Sequence, residues 1–330
     1  MPQYAELFNR FSSLKVGVIG DVMLDTYMWG HVERISPEAP VPVVSLDKKE
    51  YRIGGAGNVA YNLQALGAQS FVLSVTGDDE DALRLVQLFG TLGVNSAYSI
   101  RSRDRITTNK TRIISRNQQM MRLDTEITRE LSASDEDSLM AAFDRFLGEV
   151  RPEVVVLEDY NKGVLTERVI RHVIDACKSA GVITAVDPKR KNFFTYRGVD
   201  IFKPNLGEVR EALNLLNVEV TRSGLQNIHY ELYRHLQHNI SFITLSEKGV
   251  FYQQGDNADI VPSHIRNIAD VSGAGDTVVA VAALVYAATR DVRLMAEIAN
   301  IAGGLVCEIV GTAAINVKQL LAETQQLLKK

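Results

Sequence analysis

The sequence predicts an α/β protein with a mostly parallel central sheet, helices on both of its faces and a small second β-sheet. Two observations carry that expectation. Short β-branched runs closed by turn residues alternate with longer segments of helical periodicity, the order that builds a parallel sheet. Two other regions alternate like paired strands with no helix around them, so they belong to a separate, smaller sheet. At 330 residues, 46% hydrophobic and 23% charged, the chain can bury the core such a sheet needs.

Lys15–Gly20 (KVGVIG), Phe71–Val75, Val154–Leu157, Val182–Val186 and Phe242–Leu245 are short, apolar and bounded by turn residues, and so read as buried strands. Between them Asn58–Leu66, Asp79–Phe89, Ala133–Val150, Thr166–Ala180 and Leu206–Leu216 have helical spacing. The run Val278–Ala288 is apolar all round and predicts a helix inside the core. Residues 41–53 (VPVVSLDKKEYRI) read as a short hairpin with prolines at its entry, and residues 105–123 (RITTNKTRIISRNQQMMRL) as paired strands. These two segments are expected to form a lid over the main sheet or a contact between two copies. No linker or repeat divides the sequence, so residues 1–330 are expected to be one domain.

A net charge of −4 argues against nucleic acid or a membrane surface as partner. Cys177 and Cys307, the two cysteines, each fall in a helix-like segment and read as reduced thiols. The opening MPQYAELFNRFSSLK has no basic region followed by an apolar core, and no apolar run is long enough for a membrane span. A soluble, cytoplasmic protein is expected.

Three glycine-containing turns hold the chemistry. In DVSGAGD (270–276), Gly273, Ala274 and Gly275 lead into the apolar helix, and a helix start with bare amides attracts anions. Asp276 in that turn would repel a resident phosphate. It either takes a proton from an attacking hydroxyl or simply favours the helix dipole. In GGAGN (54–58), Gly54 and Gly55 either let a polar ligand approach the backbone or make a tight connection, and Asn58 can bond a sugar hydroxyl. In KPNLGE (203–208), Asn205 and Glu208 have the spacing of a helix capping box, and Glu208 can also orient a hydrated magnesium ion.

In their order along the chain, GGAGN, NLGE (205–208), TLSEKG (244–249) and DVSGAGD resemble the signatures of the ribokinase-like (PfkB) carbohydrate kinases. The resemblance implies a three-layer α/β/α domain with a β-sheet lid, and ATP with Mg2+ as phosphoryl donor. It implies that Asp276 is the base and Gly273–Gly275 the anion hole. Lys203, Asn205, Ser246 and Gly249 would lie along the nucleotide, and Glu208 near the metal through water. Val271 and Ser272 depart from the two hydroxyl residues that family members often carry there.

GDVMLDTYMW (20–29), VERISPEAPVPVV (32–44), DYNKG (159–163) and DPK (187–189) are similar to the heptose 7-phosphate kinases of that family. These enzymes phosphorylate the C1 hydroxyl of D-glycero-β-D-manno-heptose 7-phosphate for ADP-heptose and lipopolysaccharide synthesis. On this resemblance Asp21 and Asp25, at the end of the first strand, either accept bonds from sugar hydroxyls or are solvated turn acids, and Asp159 binds the sugar. A sugar phosphate also needs cations: Lys110, Arg112, Arg116 and Arg122 alternate and can share a face, while Lys162, Lys189 and Arg190 follow strands. Lys110, Arg112 and Lys162 are taken as the group that holds the phosphate. His235 and His238 at helical spacing read as structural. No H-x-G-H-type motif occurs, so a stand-alone kinase without a nucleotidyltransferase domain is expected. Dimers are common in the resembled family, and a homodimer is expected here. The rivals are another sugar kinase of the same fold, phosphofructokinase- or ribokinase-like, and a sugar-binding sensor without catalysis.

Overall fold

The first strand, β1 (Lys15–Gly20), is buried along both faces, as its unbroken apolar run requires. The computed structural model describes residues 2–116, 118–264 and 266–328. Asn117, inside the predicted paired strands, lies outside the described residues, as do Met1, Lys329 and Lys330 at the ends of the predicted domain. The other strands are β2 (Val22–Ile35), β3 (Pro42–Gly55), β4 (Gln69–Leu73), β5 (Val75–Gly77), β6 (Ile100–Ser102), β7 (Asn109–Ser115) and β8 (Gln118–Thr125). They continue as β9 (Val154–Glu158), β10 (Ile183–Asp187), β11 (Ile201–Phe202), β12 (Ile240–Thr244), β13 (Val250–Gln254) and β14 (Asn257–Val261). The helices are α1 (Pro2–Arg10), α2 (Ala56–Ala65), α3 (Glu80–Thr91), α4 (Ala133–Val150), α5 (Glu167–Ala180), α6 (Leu206–Ala212), α7 (Arg222–Leu236), α8 (Ala274–Thr289), α9 (Val292–Val306) and α10 (Val317–Leu327).

The main sheet has the order β14-β13-β12-β11-β10-β9-β1-β4, parallel from β4 to β12, with β13 antiparallel to both β12 and β14 at one edge. Alternate residues of each strand enter opposite cores. Val154 and Val156 pack with α2, α8 and α9, while Val155 and Leu157 pack with α4, α5 and α7. This is the expected mostly parallel sheet covered on both faces. Cys177 is buried in α5 and Cys307 follows α9, both as free thiols. No helix among the described residues is long and apolar enough to cross a membrane.

The second sheet, in the order β3-β2-β7-β8, differs from the reading of its sequence. Residues 41–53 are not a hairpin: they lie in the single long strand β3, antiparallel to β2. Periodicity missed β2 because its first six residues are buried without alternation, between β3 on one side and β7 on the other. The segment 105–123 does contain paired strands, β7 and β8. Predicted strand 71–75 divides, its last residue passing to the two-stranded β5–β6 sheet.

Polar residues explain most helix starts. The N-cap side chains of α3–α7, α9 and α10 (Asp79, Ser132, Thr166, Asn205, Thr221, Asp291 and Asn316) each accept a bond from a first-turn amide. Helices α2 and α8 open instead on Gly55 and Gly273, with no side-chain cap. Their first-turn amides are therefore left for other partners.

His238 lies just beyond α7 rather than on the same helix as His235. It is buried, and its Nε2 and His229 Nδ1 meet Ser241 Oγ at 2.6 and 2.9 Å. Burial draws His229 down to about 4, and burial followed by the neighbouring His229 draws His238 down to about 3. The unfolded chain takes up protons near pH 6.5 that the native chain refuses, so both sites contribute stability that is lost as pH falls from about 6.5 toward 4. Replacing His238 with Gln is expected to flatten the decline in melting temperature between about pH 7 and pH 5, followed by circular dichroism. An unaltered slope would mean that the native pair accepts those protons.

Candidate active site

The two uncapped helices converge on one carboxylate. Asp276 stands in the first turn of α8 and is 2% exposed. Asn58, in the first turn of α2, donates from Nδ2 to Asp276 Oδ2 at 2.7 Å. The Tyr160 hydroxyl donates to Oδ1 at 2.7 Å. Asn58 is itself fixed by Asn62, whose Oδ1 accepts from Thr277 Oγ1 at 3.1 Å and from the Ile315 amide at 3.0 Å. Burial raises Asp276 above the ordinary aspartate range, while the bonds from Asn58 and Tyr160 pull the other way. Gly273 adopts φ +77°, and a Cβ there would stand 2.7 Å from Asn58 Nδ2. The Ala274 amide is taken by the Val271 carbonyl at 3.2 Å, so the expectation that all three turn amides face an anion is corrected. The amides of Gly273 and Gly275 have no acceptor among the described residues.

Asp21 and Asp159, expected at the sugar, are buried and committed to the backbone of the loop after β9. Asp21 accepts from the amides of Tyr160, Lys162 and Val164 at 2.8, 3.1 and 3.0 Å. Burial, then Asp159, pushes it up to about 6 against those three donors. Asp159 accepts from the Asn161 amide and the Tyr196 hydroxyl at 2.7 Å each, and from Asn192. These carboxylates hold the loop that carries Tyr160. A one-dimensional pattern could place them at a strand's carboxyl end but could not tell which way they turn.

A second charged group lies where β9, β10 and β11 end. Lys203, 2% exposed, pairs with Asp187 at 2.8 Å, and Lys189 bridges Asp187 at 3.2 Å and Glu208 at 2.6 Å. Burial works against the Asp187 charge, but Lys203 and Lys189 hold it below the usual carboxylate range. The capping box is present: Asn205 accepts from the Glu208 amide at 2.9 Å and Glu208 Oε2 from the Asn205 amide at 2.8 Å. Glu158 is fully buried with neither oxygen hydrogen-bonded. Burial, then Asp187 and Asp276, raises it well above the usual glutamate range.

On the lid side, Asp25 is buried against Arg112 at 2.5 Å, and a Cβ at Gly54 would meet Asp25 Oδ2. Lys162 pairs with Glu126 at 2.8 Å. Lys110 has no ion-pair partner among the described residues. Burial, then Lys162, draws it below the ordinary lysine range. Lys110, Arg112 and Lys162 are thus gathered beside Asp25 and Tyr160, Lys110 lying 5.8 Å from the Tyr160 ring. Arg116 sits in the turn after β7, Arg122 bonds to Asp124 at an exposed position, and Arg190 pairs with Glu211 at the surface.

A cleft of about 900 Å³ runs along the other side of α8, lined by Asn205, Ser246, Gly249, Ala274, Gly275 and Val278 among others. Gly249 (φ +95°) has no room for a side chain, since a Cβ would stand 2.0 Å from the Val261 carbonyl oxygen. The cleft has the size and mixed lining of a nucleotide site. Among the described residues no three His, Cys, Asp or Glu side chains converge on a metal position. Both Glu208 oxygens are engaged, Oε1 by Lys189 at 2.6 Å and Oε2 by the Asn205 amide at 2.8 Å, so a magnesium ion would meet this residue through water and not by a direct bond.

The chain matches the pfkB family of carbohydrate kinases over residues 13–319, and it belongs to that family. It is therefore a phosphotransferase acting on a sugar hydroxyl, in a family that uses ATP. Among its relatives is the bifunctional protein HldE of Geotalea uraniireducens, 39% identical over 320 residues, covering 96% of this chain and 64% of the relative. The HldE of Helicobacter hepaticus is 36% identical over 309 residues, 94% of this chain and 63% of that one. The chain thus spans a little under two thirds of these relatives' length. The fold is shared with phosphofructokinase-2 from Escherichia coli in complex with fructose-6-phosphate (TM-score 0.75, 16% identity, covering 94% and 99% of the two chains). It is shared equally with Arabidopsis thaliana ribokinase complexed with ribose and ATP (TM-score 0.70, 16% identity, 93% and 98%).

Exchanging Asp21 for Ala would leave the buried amide of Val164 and the part-buried amides of Tyr160 and Lys162 without an acceptor and is expected to cost on the order of 3 kcal/mol in urea unfolding. Undiminished stability with a raised KM for the sugar would instead make Asp21 a ligand-binding residue.

Proposed function

We propose that the chain transfers the γ-phosphoryl group of ATP to the C1 hydroxyl of D-glycero-β-D-manno-heptose 7-phosphate, as one ribokinase-like domain with an inserted lid. The observation that carries this reading is the Asp276 carboxylate, buried between Asn58 and Tyr160 beside the unclaimed amides of Gly273 and Gly275. In the transfer, the C1 oxygen forms a bond to the γ-phosphorus as Asp276 accepts its proton. The bond from phosphorus to the bridging oxygen breaks, and ADP departs with the electron pair. The two amides face the charge on the moving group, and Lys189 and Lys203 stand close to it in a low-dielectric setting. Magnesium bound with the nucleotide would add further neutralisation, with Glu208 reaching it through water.

The choice of heptose phosphate rests on the motifs VERISPEAPVPVV and DYNKG and on the HldE relatives. The unpartnered Lys110, with Arg112 and Lys162 beside it, suits the distal phosphate. We place the protein in the cytoplasm, where both substrates would be made. A homodimer through the lid is supported by the exposed apolar residues Ile35, Val41, Leu46, Met120, Met121 and Leu123.

With Mg-ATP, heptose 7-phosphate is expected to release ADP faster than fructose 6-phosphate or ribose in a coupled assay. Preference for either of the latter would move the protein to another branch of the family. Asp276→Asn is expected to lower kcat on the order of 10²–10⁴-fold with nucleotide affinity kept. Turnover within a few-fold of the parent would remove Asp276 as the base. Sedimentation equilibrium is expected to give about twice the 36.5 kDa chain mass, and a monomer at all concentrations would exclude the lid contact.

A further inference from the structure

Tyr160 joins three features of the site that no motif connects. Its amide is fixed by Asp21 at 2.8 Å, and its hydroxyl is fixed on Asp276 Oδ1 at 2.7 Å. Two cations approach its ring, with Lys110 Nζ 5.8 Å and Lys189 Nζ 5.6 Å from the centroid. Lys110 belongs to the lid group and Lys189 to the group that bonds Glu208 and Asp187, so the ring stands where the two charged halves of the site meet. The ring stays a hydrogen-bond donor across the working pH range, because burial and then Asp276 raise the phenol well above its ordinary value.

We infer that Tyr160 is a positioning residue for phosphoryl transfer: its hydroxyl aims the Asp276 carboxylate and keeps it ionised, and its ring separates the acceptor-side cation Lys110 from the donor-side cation Lys189. This rests on Asp276 being the base. The carboxylate has few other means of staying charged. Asn58 supplies one bond from α2, and Lys189 contributes attraction from the loop after β10. Against them stand burial and the Asp187 carboxylate; the acid Glu158 on β9 and the cation Lys203, paired with Asp187, face the same group. Without the phenol, the balance moves toward the protonated acid, which cannot accept a proton from the sugar. The ring has a separate effect: removing it lets the two lysines share one space, and an anion meant for one can sit on the other.

The test compares Tyr160→Phe, which keeps the ring, with Tyr160→Leu, which does not, each checked for a parental melting temperature. In Tyr160→Phe we expect kcat to fall roughly 10- to 100-fold near pH 6 with KM for both substrates little altered. The acid limb of the kcat–pH profile should move to higher pH, so that much of the loss is recovered near pH 9. In Tyr160→Leu we expect an added rise in KM for the phosphorylated sugar. A Tyr160→Phe profile that superimposes on the parent, or a loss that is equal at every pH, would overturn the inference while leaving the base assignment intact. Should Asp276→Asn retain turnover, the base assignment itself fails, whatever Tyr160 does. If Tyr160→Leu behaves like Tyr160→Phe, the ring has no part in separating the two cations.

Discussion

The structure turns on keeping one carboxylate charged out of water. Asp276 has lost nearly all solvent, and a buried carboxylate without partners would take up a proton. Two donors from remote parts of the chain, Asn58 on α2 and Tyr160 after β9, offset that loss, and the first turn of α8 adds its dipole. Much of the surrounding architecture holds those donors still. Asn62 locks Asn58 to Thr277 and Ile315, and Asp21 and Asp159 lock the loop of Tyr160 to β1 and to the turn at Asn192 and Tyr196.

That arrangement gives the buried acids of the site separate tasks. Asp21 and Asp159 satisfy backbone amides and side-chain donors, Asp187 pairs with two lysines, and burial pushes Glu158 toward its neutral form. Each task follows from the donors within reach rather than from the residue type. The low dielectric that makes an unpaired acid costly also strengthens the pairing of Lys189 and Lys203 with Asp187.

Helix capping separates structure from chemistry in this chain. Helices α3–α7, α9 and α10 bring their own polar cap, whereas α2 and α8 open on glycine and meet at the Asn58–Asp276 bond. The large cleft is lined by Ala274, Gly275 and Val278 of α8, and the lid cation Lys110 lies against Tyr160, which bonds Asp276. Asp276 stands between the two.

The parallel sheet, its covering helices and the position of Asp276 at a bare helix mouth were legible in the sequence, because burial period, capping residues and glycine turns are local properties. The capping box at Asn205 was equally local, and the structure contains it. The strand Val22–Ile35 was not legible, since the buried polar residues Asp25 and Thr26 break the apolar run that marks a buried strand. Nor were the tasks of Asp21, Asp159, Asn62 and Tyr160, whose partners lie far along the chain. A sequence records which donors and acceptors a chain carries. Which of them meet, and hence which acid stays charged, is decided by packing that brings residues 58, 160 and 276 within hydrogen-bond reach.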